Sequence, residues 1–165
     1  MNAKKLLKSL AIALGLVLIA IQFIKPERNL GGDTSKSIAT AYPMSDAVKT
    51  VLNNACMDCH SNTTKYPWYA NIQPVAWWLA DHVEDGKKHL NFDNFMSYRL
   101  YRQFHKLEEI DEVIQEGEMP MTSYTLAHSE AKLSAEQKDL LIGWSKALRD
   151  SMTARYPQDS LKKPE

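Results

Sequence analysis

Residues 56–78 read CMDCHSNTTKYPWYANIQPVAWW. The first five, Cys56-Met57-Asp58-Cys59-His60, contain the only two cysteines of the chain. A C-x-x-C pair followed by His suits three chemistries: a redox dithiol, half of a zinc site, or a covalent seat for haem. The flanking sequence separates them.

Upstream, Ser45 is a suitable helix N-cap, and Val48, Val51, Leu52 and Ala55 follow at helical spacing. That helix runs directly into the motif. Downstream, SNTTKYPWYANIQP reads as a loop punctuated by Asn62, Pro67 and Pro74, and Pro74 fits the first turn of a helix over PVAWWLADHVEDGKKHL. Asn91-Phe92-Asp93 reads as a turn and cap before NFMSYRLYRQFHKLEEIDEVIQEG, one helix or two short ones stopped by Gly117. EMPMTSYTLAH reads as a loop. Ser134 with Gln137 forms a capping-box pattern that opens a last helix with Leu140, Leu141, Trp144, Leu148 and Met152 on one face. No stretch after residue 45 alternates with the period of a strand. The expected fold class is all-α.

A dithiol of the thioredoxin kind sits at the start of a helix beside strands. Here the motif follows a helix, and strands are not expected. Structural zinc takes four ligands, and His82, His89, His105 and His128 do not form a second pair at ligand spacing. Haem attachment uses all three residues: two thiols bond the two vinyl groups, and His60 is the proximal iron ligand.

The N-terminus bears on location. Leu6–Ile24, LLKSLAIALGLVLIAIQFI, is apolar apart from Lys8, Ser9 and Gln22. As a helix it would span about 28 Å, close to a bilayer core of about 30 Å. Ala20-Ile21-Gln22-Phe23-Ile24 is a poor match to a signal-peptidase site, and no cysteine follows the run to carry a lipid. Residues 1–24 are therefore expected to be an uncleaved transmembrane signal anchor. Lys4, Lys5 and Lys8 would stay in the cytoplasm, which puts the remainder on the periplasmic side of the inner membrane. Residues 25–44, rich in Pro, Gly, Ser and Thr, read as a flexible linker reaching about 25 Å. Residues 45–152 form the expected domain and 153–165 a polar tail.

The chain has 20 basic and 20 acidic side chains. With three lysines and no acid in residues 1–24, the rest is slightly acidic. That excludes nucleic-acid binding, which needs a basic patch against phosphates. No acid/base pair, activated nucleophile or phosphate loop argues for a substrate-specific enzyme.

The layout of helix, C-x-x-C-H, loop, helices, Gly117-Glu118-Met119-Pro120 and terminal helix resembles small class I cytochromes c. More closely, the chain is similar over most of residues 50–145 to the bacterial haem-binding domain family of membrane-anchored, single-haem proteins. The stretches that carry the likeness are CMDCHSNTTKYPWYANIQPVAWWLADHV, LNF, GEMP, SYTLAH and LSAEQKDLLIGW. The resemblance implies one covalent haem c on Cys56 and Cys59, His60 as proximal ligand, and Met119 as the second axial ligand through its Met-Pro pattern. The expected function is one-electron transfer with redox partner proteins.

Met121, His128, His82, His89 and His105 stay open as alternatives to Met119. A thioether raises the potential relative to an imidazole, whereas an open sixth position would admit small ligands or peroxide chemistry. An open-site haem enzyme or sensor, or an accessory subunit whose haem is structural, are the competing functions. Trp68, Tyr69 and Trp77 are candidates for the haem pocket, and Trp77 and Trp78, being adjacent on a helix, cannot face the same way. Arg99 and Arg102 are candidates for propionates or a solvated face. The acidic run HKLEEIDEVIQEGE is a solvated face or a docking face for a basic partner.

Overall fold

The computed structural model describes residues 2–164, and among them no strand forms beyond an isolated antiparallel bridge between Leu30 and Thr63. The α-helices are α1 (Ala3–Ile21), α2 (Asp46–Ala55), α3 (Met57–His60), α4 (Val75–His89), α5 (Leu100–Glu116), α6 (Thr122–Ala127) and α7 (Ala135–Arg155). Short 3₁₀ segments join several of them, Phe92–Ser97 being the longest.

The ends of these helices follow local chemistry. Ser45 accepts from the Val48 N–H at 3.3 Å and starts α2. Ser134 and Gln137 satisfy each other's backbone N–H groups in a complete capping box at the start of α7. Gly117, with φ of 75°, takes the left-handed position that stops α5.

The core lies between α2, α5 and α7. Val48, Val51 and Leu52 of α2 meet Leu107, Ile110 and Ile114 of α5 and Leu141, Trp144, Leu148 and Met152 of α7. Phe92 and Phe95, from the 3₁₀ segment before α5, are fully enclosed beside them. Full burial of a side chain of this size contributes about 1.5–3 kcal/mol. Between α5 and α7, the buried Asp111 accepts hydrogen bonds from Ser145 and Arg149, so its carboxylate is paired where burial would otherwise be costly.

Three expectations are corrected, and a fourth finds no support. The stretch expected to be a flexible linker is part of the fold. Ile38 is 1% exposed in the core, and Tyr42 donates to the side-chain Oε1 of Gln103 at 3.1 Å and packs edge-on against Phe95. Asn29 donates to Thr64 Oγ1 and the Ser61 carbonyl and accepts from Lys87. The linker reading rested on the lack of an apolar period. Isolated anchors with no period are enough to hold a segment when a neighbouring surface receives them.

The polar tail also packs. Residues up to Arg155 continue α7, and Leu161 is 6% exposed on the core. The stretch EMPMTSYTLAH, read as a loop, contains α6.

The helix at the expected membrane span has the expected 19 residues, but it lies three residues earlier and is more polar. The helix α1 begins at Ala3, takes in Lys4, Lys5 and Lys8, and ends at Ile21. Its uninterrupted apolar part, Leu10–Ile21, is about 18 Å long. Among the described residues no helix is long and apolar enough to cross a membrane. Gln22 turns the chain and exchanges hydrogen bonds with the Gln73 backbone, 3.2 and 3.0 Å, which fastens the end of α1 to the domain.

Candidate functional site

Cys56 is the joint between α2 and α3: its N–H closes the last bond of α2, to the Leu52 carbonyl at 2.9 Å, and its own carbonyl accepts from Cys59 and His60 at 3.2 and 3.0 Å. The motif is thus a single turn held directly by the end of a core helix. α4 crosses it closely at Gly86. A Cβ at that position would stand 2.7 Å from the Cys59 carbonyl oxygen, so no larger residue fits without displacement.

This approach sets the state of His60. Its Nδ1 lies 3.0 Å from the Gly86 carbonyl and 2.9 Å from the Leu90 carbonyl. Both partners only accept, so Nδ1 carries the proton and donates. Nε2 keeps its lone pair, the tautomer a metal-binding imidazole requires, with the backbone-held N–H that orients such ligands. Burial lowers the His60 pKa against the opposing pull of these two carbonyl bonds, which keeps the ring neutral. Phe92 packs edge-on to the ring at 6.5 Å between centroids.

The two thiols are half-buried and not bonded to each other. Burial raises the Cys56 thiol to about 12, with Cys59 adding to the effect. Burial and then the Asp58 charge raise Cys59 to about 11. A disulfide-exchange site needs thiolate near neutral pH, and these thiols stay protonated. Among the described residues no group of three or more His, Cys, Asp and Glu side chains is placed to hold a metal ion.

Two adjoining clefts share Ala55, Cys56, His60, His89, Met119 and Pro120 in their walls. One, of about 180 Å³, is completed by Cys59, His82, Met121 and Tyr124 among others. The other, of about 260 Å³, runs into the core between Leu52, Phe92, Ile110, Ile114, Leu133 and Leu141. Their walls are mostly apolar, and the shared set brings together a thiol, two imidazoles and a thioether. This donor set and lining fit haem. The group needs an apolar enclosure with a few fixed ligands.

The structure therefore brings Cys56, Cys59, His60 and Met119 to one place, across more than fifty residues of intervening chain. Met119 is 36% exposed, with its N–H bonded to the Val113 carbonyl at 3.1 Å. Trp68, Tyr69 and Trp77 are not brought there. Trp68 is 75% exposed, Trp77 donates its indole N–H to the Ile24 carbonyl at 2.9 Å, and Tyr69 bonds His128 at 2.7 Å; none of the three lines either cleft. Trp77 thereby binds the N-terminal segment, and Tyr69 the end of α6, to the domain. Arg102 lies over the Tyr98 ring and donates to the Lys88 carbonyl, and Arg99 precedes α5 in solvent.

The alternative ligands differ in availability. His128 has both nitrogens engaged, Nε2 with the Tyr69 hydroxyl and Nδ1 facing Glu130 at 3.4 Å. His105 pairs with Glu108 and lines neither cleft. His82 reaches the smaller cleft with Nδ1 on the Trp78 carbonyl, and the exposed His89 borders both. Met121 lines the smaller cleft.

Sequence reasoning missed Gly86, Asp58 and Tyr124. Gly86 did carry a signal, since a lone glycine inside a helical pattern often marks close packing. Asp58 and Tyr124, bonded at 2.8 Å, are 66 residues apart and had none.

A family model described as a haem-binding domain matches residues 16–147. No curated protein and no solved structure matches the chain.

Proposed function

The chain belongs to the haem-binding domain family, and on that premise we propose that it holds one haem covalently and passes single electrons outside the cytoplasm, attached to a membrane by α1. The observation that carries this reading is the shared wall of the two clefts, where Cys56, a His60 with free Nε2, and Met119 meet.

Cys56 and Cys59 are the attachment residues. Each S–H adds across one vinyl double bond: sulfur bonds one carbon, hydrogen goes to the other, and no oxidant is consumed. His60 supplies Nε2 as proximal ligand, oriented by the Gly86 and Leu90 carbonyls. Met119 would supply a thioether as a second iron ligand. When bound, the haem supplies an iron that alternates between Fe(III) and Fe(II). The residues of this chain exclude water from it with Leu52, Phe92, Ile110 and Leu141 and fix its ligands.

Membrane attachment is supported by α1 itself. None of its described residues is buried in the domain, its apolar side chains are exposed, and its lysines are gathered at one end. A redox partner on the outer side is the expected electron donor or acceptor.

The test is denaturation of the exported protein. Haem that stays with the polypeptide in detergent and acidified ketone, and is lost when both cysteines are replaced by serine, supports covalent attachment; haem extracted completely from the intact chain refutes it. Met119→Ala should abolish the near-infrared thioether-to-Fe(III) band. The exposure of Met119 favours a second reading, a site that opens to small ligands. A high-spin ferric protein that binds cyanide without a lag would establish that reading over electron transfer. Membrane attachment fails if the full chain fractionates with soluble protein and a chain lacking residues 1–24 behaves no differently.

A further inference from the structure

The segment that carries Met119 and Met121 is fastened at two points. At its start, Gly117 turns out of α5 and the Met119 N–H is bonded back to Val113. At its end is α6, six residues long with none of them buried. A helix this short has little stability of its own. Its ends are tied by bonds from the Tyr124 and Thr125 N–H groups to the Met121 carbonyl and from the His128 N–H to the Tyr124 carbonyl.

Two side chains hold α6 against the domain, Tyr124 within it and His128 at its end. The Tyr124 hydroxyl donates to Asp58 Oδ2 at 2.8 Å. Asp58 is the residue before Cys59, inside the motif, and its other carboxylate oxygen accepts from the Lys65 N–H at 3.1 Å. The Tyr124 ring lies flat on His128, 4.3 Å between centroids and 15° between planes, and His128 is fixed by the Tyr69 hydroxyl. Tyr124 itself forms part of the cleft wall with Met119, Pro120 and Met121.

We propose that Tyr124 and Asp58 form a latch that positions the Met119 segment over the C-x-x-C-H motif, so that this hydrogen bond, beside the Tyr69–His128 bond at the other end of α6, sets how firmly the sixth-ligand side of the site is closed. The inference rests on the haem reading given above. Tyr124 is a positioning residue: it acts through the backbone of α6 and the loop that carries Met119. The acceptor is a carboxylate within the motif, so the latch reports directly on the segment that bears the cofactor. Hydrogen bonds to charged groups are stronger than neutral ones, so loss of the hydroxyl should loosen the segment by about tenfold.

The experiment uses the full-length protein with Tyr124→Phe, which keeps the ring on His128 and removes only the hydroxyl. Two readouts are taken. In hydrogen exchange, the amides of residues 121–128 should exchange about tenfold faster than in the parent, while those of α7 do not change. In the ferric protein, cyanide should bind about tenfold faster per bound haem and the thioether band should weaken. Asp58→Ala should reproduce both effects, and adding Tyr124→Phe to it should change neither further. Unaltered exchange in residues 121–128, or unaltered cyanide binding despite faster exchange, overturns the latch. Failure of the haem reading looks different: the parent itself would then lack covalent haem or the thioether band, whatever the exchange of α6.

Discussion

Gly86 and His60 show how one backbone contact prepares a ligand. The missing side chain at Gly86 lets α4 approach the motif, and the carbonyl of that same residue then receives the His60 N–H. Gly86→Ala should lower stability by about 1–3 kcal/mol through overpacking and reduce haem incorporation, read by urea melts and haem content. Gly143→Ala is the matched control. A Cβ there meets nothing within 4 Å in the middle of α7, so the change should stabilise the protein by about 0.5–1 kcal/mol. His60 also gives a pH dependence. Its folded pKa is lowered from the ordinary 6.5, so the unfolded chain binds the proton more readily. Stability from this group is complete above about pH 6.5 and is lost as pH falls through the lower, folded value. Urea melts of the haem-free chain should show this loss, and His60→Asn should remove that part of the acid slope. The motif of Cys56, Cys59 and His60 was legible because five adjacent residues carry it. The orientation of His60 was not, because its partners are carbonyl groups of α4 and of the residue that follows it, which no residue type announces.

Among the elements, those bounded by side-chain chemistry were read well. Ser45 and Ser134 cap α2 and α7 where the sequence placed them, and Gly117 ends α5. Each of these signals acts within four residues, so it does not depend on the rest of the fold. Ser134→Ala should cost about 1 kcal/mol, seen as a lower urea midpoint with an unchanged slope. The elements misread were those whose order comes from contacts made at a distance. α6 buries none of its own residues, so it has no apolar period to detect, and its attachment depends on Asp58, Tyr69 and His128. The exposed Trp68 and the outward-bonded Trp77 were misplaced for a related reason. Aromatic composition near a motif identifies a sticky region, but the direction each ring faces is set by the turn that carries it.

At the scale of the molecule, the domain is larger than its periodic helices. The segment before α2 supplies Ile38 to the core, and the segment after α7 supplies Leu161. Ile38→Ala should therefore cost about 2–5 kcal/mol, the range for a buried aliphatic truncated to alanine. A urea midpoint within error of the parent would show that residues 25–44 are a tether after all. A packed segment of this kind holds the haem domain close to the end of α1, where Gln22 and Gln73 are joined.

The sequence by itself determined the helical class, the principal helices and their caps, and the identity of the three motif residues. All of these depend on periodicity or on neighbours a few positions apart. It also singled out Met119, through a local Met-Pro pattern and a family likeness. Only the tertiary structure decided that Met119 shares a cleft with Cys56 and His60, that His60 presents Nε2, and that Gly86, Asp58 and Tyr124 belong to the site. These are facts about which surfaces meet, and they arise when α4, α5 and α6 close around α3. Periodicity records which face of an element is apolar, but it does not record the partner that covers it.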